Sequence, residues 1–214
     1  ATSGERDFAE TLRGVAGVES AGPSLTYRSA LLMGTDETLH DVGPSVSFGQ
    51  EASIRALNPP NGAEDDTMFD AQWGLDAVDA PEAWDTGERG AKAVVFVLDS
   101  VIASLHPDIA PNLDTSLCKS FVPGEHYDAL VTQPLRPLPF FNHGTHVAGT
   151  IGAADNAFGV IGVAPEVELV AVKVLSQVNG FGYTDWIADG IVYAADNGAD
   201  VINMSLGGTV RRRG

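Results

Sequence analysis

Apolar residues from about position 93 onward fall into short unbroken runs, separated by longer stretches of helical spacing. Ala93 to Leu98 is continuous and rich in β-branched residues, the pattern of a strand covered on both faces in a parallel sheet. Val167 to Leu175 and Val201 to Ser205 predict a second and a third buried strand. His143 to about Ile151 reads as an apolar helix in which Ala148 and Gly149 permit close packing, and Thr184 to Asn197 as an amphipathic helix closed by Gly198. Pro81 suits the first turn of a short helix ending at Gly87. Strands alternating with helices predict an α/β fold with a doubly wound parallel sheet, whose ligands sit at the carboxyl ends of the strands. Asp99 and Ser205 fall at two such ends.

Residues 1–63 behave differently. Their periodicity is weak, and breakers recur at Gly22-Pro23, Gly43-Pro44 and Asn58-Pro59-Pro60-Asn61-Gly62. A short helix near Phe8 to Val15 and a strand within Ser24 to Met33 are expected. The chain is therefore divided into an N-terminal extension, 1–63, and a main domain, 64–214.

Composition narrows the function classes. A net charge of −17 from 29 acidic and 12 basic residues opposes a phosphate backbone, so no nucleic-acid partner is expected. No apolar run reaches the ~18 residues of a membrane span, and no membrane partner is expected either. The lone Cys118 excludes an internal disulfide framework. The sequence opens at Ala1 with no charged-then-apolar leader, as after signal cleavage or trimming.

The chemistry concentrates in two places. Asn142-His143-Gly144-Thr145-His146-Val147-Ala148-Gly149-Thr150 lies downstream of a strand ending in Asp99. A hydroxyl is a poor nucleophile at neutral pH unless an imidazole takes its proton and a carboxylate holds that imidazole in the right tautomer. The stretch resembles the histidine segment of the subtilisin-like serine proteases (subtilases, peptidase family S8), and the order Asp then His is the subtilisin order. Asp66 to Leu75 followed by Ala80-Pro81-Glu82-Ala83-Trp84 resembles the start of the mature domain in thermitase-like members.

The resemblance implies a subtilisin-like fold and peptide-bond hydrolysis by an Asp/His/Ser triad, with Asp99 orienting His143 and His143 acting as base and then acid. It implies that Gly180, Phe181 and Gly182 on one side, and Ser205, Leu206 and Gly207 on the other, hold an extended peptide or protein substrate through main-chain bonds. It implies a structural Ca²⁺ bound by Asp66, Asp108 and Asn156 side chains and by the carbonyls of Ala154, Phe158 and Val160, an oxygen set that suits a hard cation. It further implies secretion, and a propeptide-like role for residues 1–63. His106, His126 and His146 are expected to be structural. One departure stands out: Val101 occupies the position where the family carries glycine, so where that glycine serves a positive φ or a close backbone approach, strained or rearranged geometry is expected beside Asp99.

No segment up to Gly214 matches the family's Gly-Thr-Ser-Met-Ala nucleophile motif, and Val210-Arg211-Arg212-Arg213 leaves the family pattern after Gly208. The expectation is a truncated form without the nucleophilic Ser, inactive by itself and paired as a homodimer over the exposed face. The alternative is a non-catalytic peptide-binding or regulatory pseudoprotease.

Overall fold

In the computed structural model the residues described are 26–29, 62, 64–128 and 143–208. The helix expected near Phe8 to Val15 lies outside them. The strands are β1 (Thr26–Ser29), β2 (Val94–Asp99), β3 (Lys119–Ser120), β4 (Glu168–Lys173), β5 (Phe181–Tyr183), β6 (Val201–Asn203) and β7 (Leu206–Gly207). The helices are α1 (Trp73–Asp76), α2 (Ala80–Asp85), α3 (His143–Gly152) and α4 (Thr184–Asp196). Four strands form a parallel sheet in the order β3-β4-β2-β6.

Period-two alternation explains why β2 and β4 read as unbroken apolar runs. Val95, Val97, Leu169 and Ala171 point to one face and pack with Ala148 of α3. Phe96, Leu98, Val170 and Val172 point to the other and pack with Ile187 and Ala194 of α4. Both faces are covered, which is the doubly wound arrangement expected. Phe96 is fully buried, so truncating it to Ala would cost about 3–5 kcal/mol. A smaller cluster of Phe69, Leu75, Ala80, Trp84 and Ile161 fastens the segment before β2 to the domain.

One expected strand is not buried. β6 stops at Asn203, leaving Ser205 outside it, and Val201 is 51% exposed. The reason is positional: among the described residues β6 pairs only with β2, and therefore lies at the sheet edge.

The segment within Ser24 to Met33 does contain a strand. β1 runs antiparallel between β5 and β7 in a second, three-stranded sheet, with Tyr27 opposite Gly182, Arg28 opposite both Phe181 and Gly207, and Ser29 opposite Leu206.

Candidate active site

Asp99 closes β2 and is 1% exposed. His143 is the first residue of α3. Its Nδ1 lies 2.8 and 2.9 Å from the two carboxylate oxygens of Asp99. An ionised carboxylate only accepts, so in the neutral ring the proton sits on Nδ1 and the Nε2 lone pair is left free to receive one.

Local chemistry holds both groups. The Ser100 N–H donates to Asp99 Oδ1 at 2.6 Å, and the Gly144 N–H donates to Ser100 Oγ at 3.1 Å, so one serine ties the Asp99 turn to the start of α3. The Ala103 N–H donates to Thr145 Oγ1 at 2.9 Å. The Asp99 carbonyl accepts from the Val174 and Leu175 amides. A Cβ on Gly144 would stand 2.6 Å from the Val101 carbonyl oxygen; glycine is thus required in the helix rather than in the Asp99 turn. This corrects the expectation of strain: Val101 is fully buried and does not take a positive φ, because the close approach is accommodated by Gly144 on the helix side of the contact.

The two predicted walls face each other across β1. Gly180 has φ +72°, open to glycine. Ser176 N–H to Phe181 carbonyl and Gly180 N–H to Ser176 carbonyl, both 2.7 Å, close the turn before β5. Gly182 packs directly on the Val174 carbonyl and leaves no room for a Cβ. Opposite, Ser205 Oγ donates to Asn203 Oδ1 at 3.0 Å, and Leu206 and Gly207 form β7. Because β6 runs parallel to β2 with Asn203 opposite Val97, the start of β7 lies toward the Asp99 end of the sheet. β1 runs from Gly207 back to Leu206 as its own numbering rises.

The six residues expected around a cation also converge. The Val160 N–H donates to Asp108 Oδ2 at 3.1 Å, the Ala154 N–H to the Asp108 carbonyl at 2.8 Å, and the Asn156 N–H to Asp66 Oδ1 at 3.4 Å. Asn156 Oδ1 accepts from the Phe158 N–H at 3.0 Å, and its Nδ2 donates to the Pro107 carbonyl. Asp66 and Asp108 are 4% and 3% exposed, and each keeps one buried carboxylate oxygen, Oδ2 and Oδ1 respectively, with no hydrogen-bond partner. Burial, and after it the neighbouring Asp155, push the Asp66 carboxyl above its ordinary range, against the lowering effect of the Asn156 amide. Buried oxygens left without donors fit a hard cation. Asp65 and Asp155, absent from the sequence-derived set, bring carboxylate oxygens within 4.8 Å of one another and of Asp66; the signal was adjacency to Asp66 and Asn156.

His106 and His126 accept the amides of Asp108 and Asp128 on Nδ1, each stabilising its own turn. His146 and His106 line a cavity of about 770 Å³ bounded also by Trp73, Val78 and Ile109. That cavity is lined by neither Asp99, His143 nor the walls around β1.

Comparisons with known proteins bear on the family and the fold. A family model described as the subtilase family, Peptidase_S8, matches residues 90–214. Subtilisin E of Bacillus subtilis (strain 168) is 46% identical over 136 residues, 64% of this chain and 32% of that protein. An alkaline protease of Alkalihalobacillus alcalophilus is 42% identical over 168 residues, 78% of this chain and 38% of that protein. The chain thus spans about a third of the length of these relatives. The crystal structure of fervidolysin from Fervidobacterium pennivorans superimposes with a TM-score of 0.61 at 22% identity, covering 90% of this chain and 27% of that one, and so shares the fold. The chain belongs to the subtilase family of serine peptidases.

Proposed function

We propose that this chain carries the proton relay and the peptide-holding walls of a subtilisin-like serine endopeptidase. The observation that carries the reading is the buried Asp99 carboxylate hydrogen-bonded to Nδ1 of His143. In this reading Asp99 fixes the ring's tautomer and stabilises the imidazolium; His143 Nε2 takes the proton of a serine hydroxyl and returns it to the leaving amine. The serine is assigned to none of residues 1–214, and Ser205 belongs to the cleft wall. The substrate is a peptide or protein held extended between Gly180-Phe181-Gly182 and Ser205-Leu206-Gly207, as β1 is held by backbone pairing.

The β1 pairing also supports a propeptide-like role for residues 1–63, since the segment occupies the place of an extended ligand. It equally favours a second reading, a cleft that binds peptides without hydrolysing them. Ca²⁺ is assigned to Asp66, Asp108 and Asn156 with the carbonyls of Ala154, Phe158 and Val160; bound there, it would neutralise the two buried carboxylates and pin the 154–160 loop to the segment before α1. Secretion is part of the proposal, and fractionation of medium against cells tests it, because the relatives include one named major intracellular serine protease. No helix among the described residues is long and apolar enough to cross a membrane.

A fluorophosphonate probe and a fluorogenic peptide test the function. The 214-residue polypeptide is expected to take no label and to hydrolyse negligibly. A polypeptide that also carries a nucleophile segment is expected to lose at least about 10³-fold in kcat on His143→Ala. Labelling of the 214-residue polypeptide that His143→Ala abolishes would overturn the assignment of the serine, and peptide binding without hydrolysis in the longer polypeptide would establish the second reading.

A further inference from the structure

Lys173 is a fully buried cation that the relay does not use. It ends β4, directly abreast of Asp99 in the parallel register, and is 0% exposed. Burying an ammonium is costly unless every donor is matched. Here Nζ donates to the Leu175 carbonyl at 2.7 Å and pairs with Glu125 Oε2 at 3.1 Å. Burial still holds the amine below its ordinary range, partly offset by Glu125 and, less, by Asp99. A Met of similar length would fill the same volume without that cost, so the charge must serve an arrangement.

Glu125 shows which one. It reaches Lys173 from the loop after β3, and its carboxylate also accepts from Ser176 Oγ at 2.5 Å and from the Gln177 N–H at 2.8 Å. Ser176 Oγ in turn accepts from the Val178 N–H at 3.1 Å, while the Ser176 backbone closes the turn onto Phe181 and Gly180. One carboxylate thus grips the turn that leads into β5, and the same carboxylate is anchored on a lysine followed directly by Val174 and Leu175, whose amides donate to the Asp99 carbonyl. The contacts run without a break from the Asp99 end of β2 to the first residue of the peptide-holding wall. Charge-assisted bonds of this kind are stronger and more directional than neutral ones, which suits a joint that must hold position rather than add bulk.

We propose that Glu125 and Lys173 are a positioning pair that locks the β5 wall to the strand end bearing Asp99, and so sets how firmly an extended peptide is held in register with His143. The proposal rests on the cleft reading above, but its test needs no turnover. Amide hydrogen exchange is followed in the full 214-residue chain for wild type, Glu125→Gln and Lys173→Met. In Glu125→Gln the shape is kept and the charge removed. Exchange at Gln177, Val178, Gly180 and Phe181, and along β1 where it pairs with β5, should rise at least about tenfold, while Phe96, Val170 and Val172 stay within about twofold. Lys173→Met, which removes the cation and keeps a side chain of similar length, should give the same pattern. An unchanged turn, a rise in the turn without one in β1, or an equal rise throughout β2 and β4 would each overturn the positioning role. None of these outcomes depends on hydrolysis, so an absence of protease activity in a polypeptide that also carries a nucleophile segment would refute the functional reading and leave this one standing.

Discussion

Gly144→Ala puts the relay geometry to its sharpest test, because the perturbation is a single methyl in a known direction. The added Cβ would stand 2.6 Å from the Val101 carbonyl oxygen, 3.3 Å from its carbon and 3.4 Å from Asp99 Cβ, where real Cβ contacts do not fall below 3.0 Å. The start of α3 must therefore move by at least about 0.4 Å, the difference between 3.0 and 2.6 Å. Val101 has no space to yield, being fully buried, and the neighbouring Ala103 amide is held by Thr145. Overpacking of this kind costs about 1–3 kcal/mol, which for a chain of this size lowers Tm by roughly 2–12 °C. Taken up along the relay, a shift of about 0.4 Å would lengthen contacts of 2.8 and 2.9 Å to about 3.2 and 3.3 Å, the long end of the hydrogen-bond range. Thermal unfolding gives the first number, and the strongly deshielded proton NMR signal of an imidazole N–H bonded to a carboxylate gives the second. Gly74→Ala in α1 is the control: nothing lies within 4 Å of its Cβ, so stability should hold or rise by about 0.4–1 kcal/mol. An alanine at 144 that leaves Tm within a degree of wild type and the proton signal unmoved would refute the claim that this glycine sets the contact.

Two further outcomes follow from buried titratable groups. Burial raises the Asp66 carboxyl, so its contribution to stability is present below its ordinary pKa and lost as pH rises through the folded value; Asp66→Asn should raise Tm at pH 7 in chelator and shrink the rise that Ca²⁺ produces, whereas a lower Tm in chelator with an undiminished Ca²⁺ response would contradict the site. Burial likewise pushes the Cys118 thiol up to about 11, with Sγ bonded between the Asp114 carbonyl and the Ala171 amide; iodoacetamide at pH 8 should alkylate it on the order of 100-fold more slowly in the native chain than in denaturant, and equal rates would show the thiol to be free.

What was legible in the sequence was whatever is written locally. The apolar runs of β2 and β4, the helical spacing of α3 and α4, and Gly198 past the end of α4 all state their structure within a few residues, and the Asp99 and His143 segments name their chemistry. The destination of β1 was not legible, because Thr26–Ser29 is a short strand whose partners lie more than 150 positions away, at Phe181–Tyr183 and Leu206–Gly207. The exposure of β6 was missed for a related reason: an apolar run does not say whether its strand has one neighbour or two. Val101 misled because the residue type at one position was read without its contact, and the glycine that the contact needs sits at 144.

Lys173 carries the general lesson. It interrupts the apolar run Val167 to Leu175, and a charge at a position whose neighbours are all buried must have a partner that supplies what water would have supplied. That partner had to be an acid or a set of carbonyls brought from elsewhere in the chain, and Glu125 and the Leu175 carbonyl are what the fold delivers. Read this way, a lysine inside a buried strand predicts a structured polar joint beside the strand's end before any coordinates are known. In a parallel sheet such a joint falls at the carboxyl ends of the strands, where ligands sit, and Lys173 stands there abreast of Asp99.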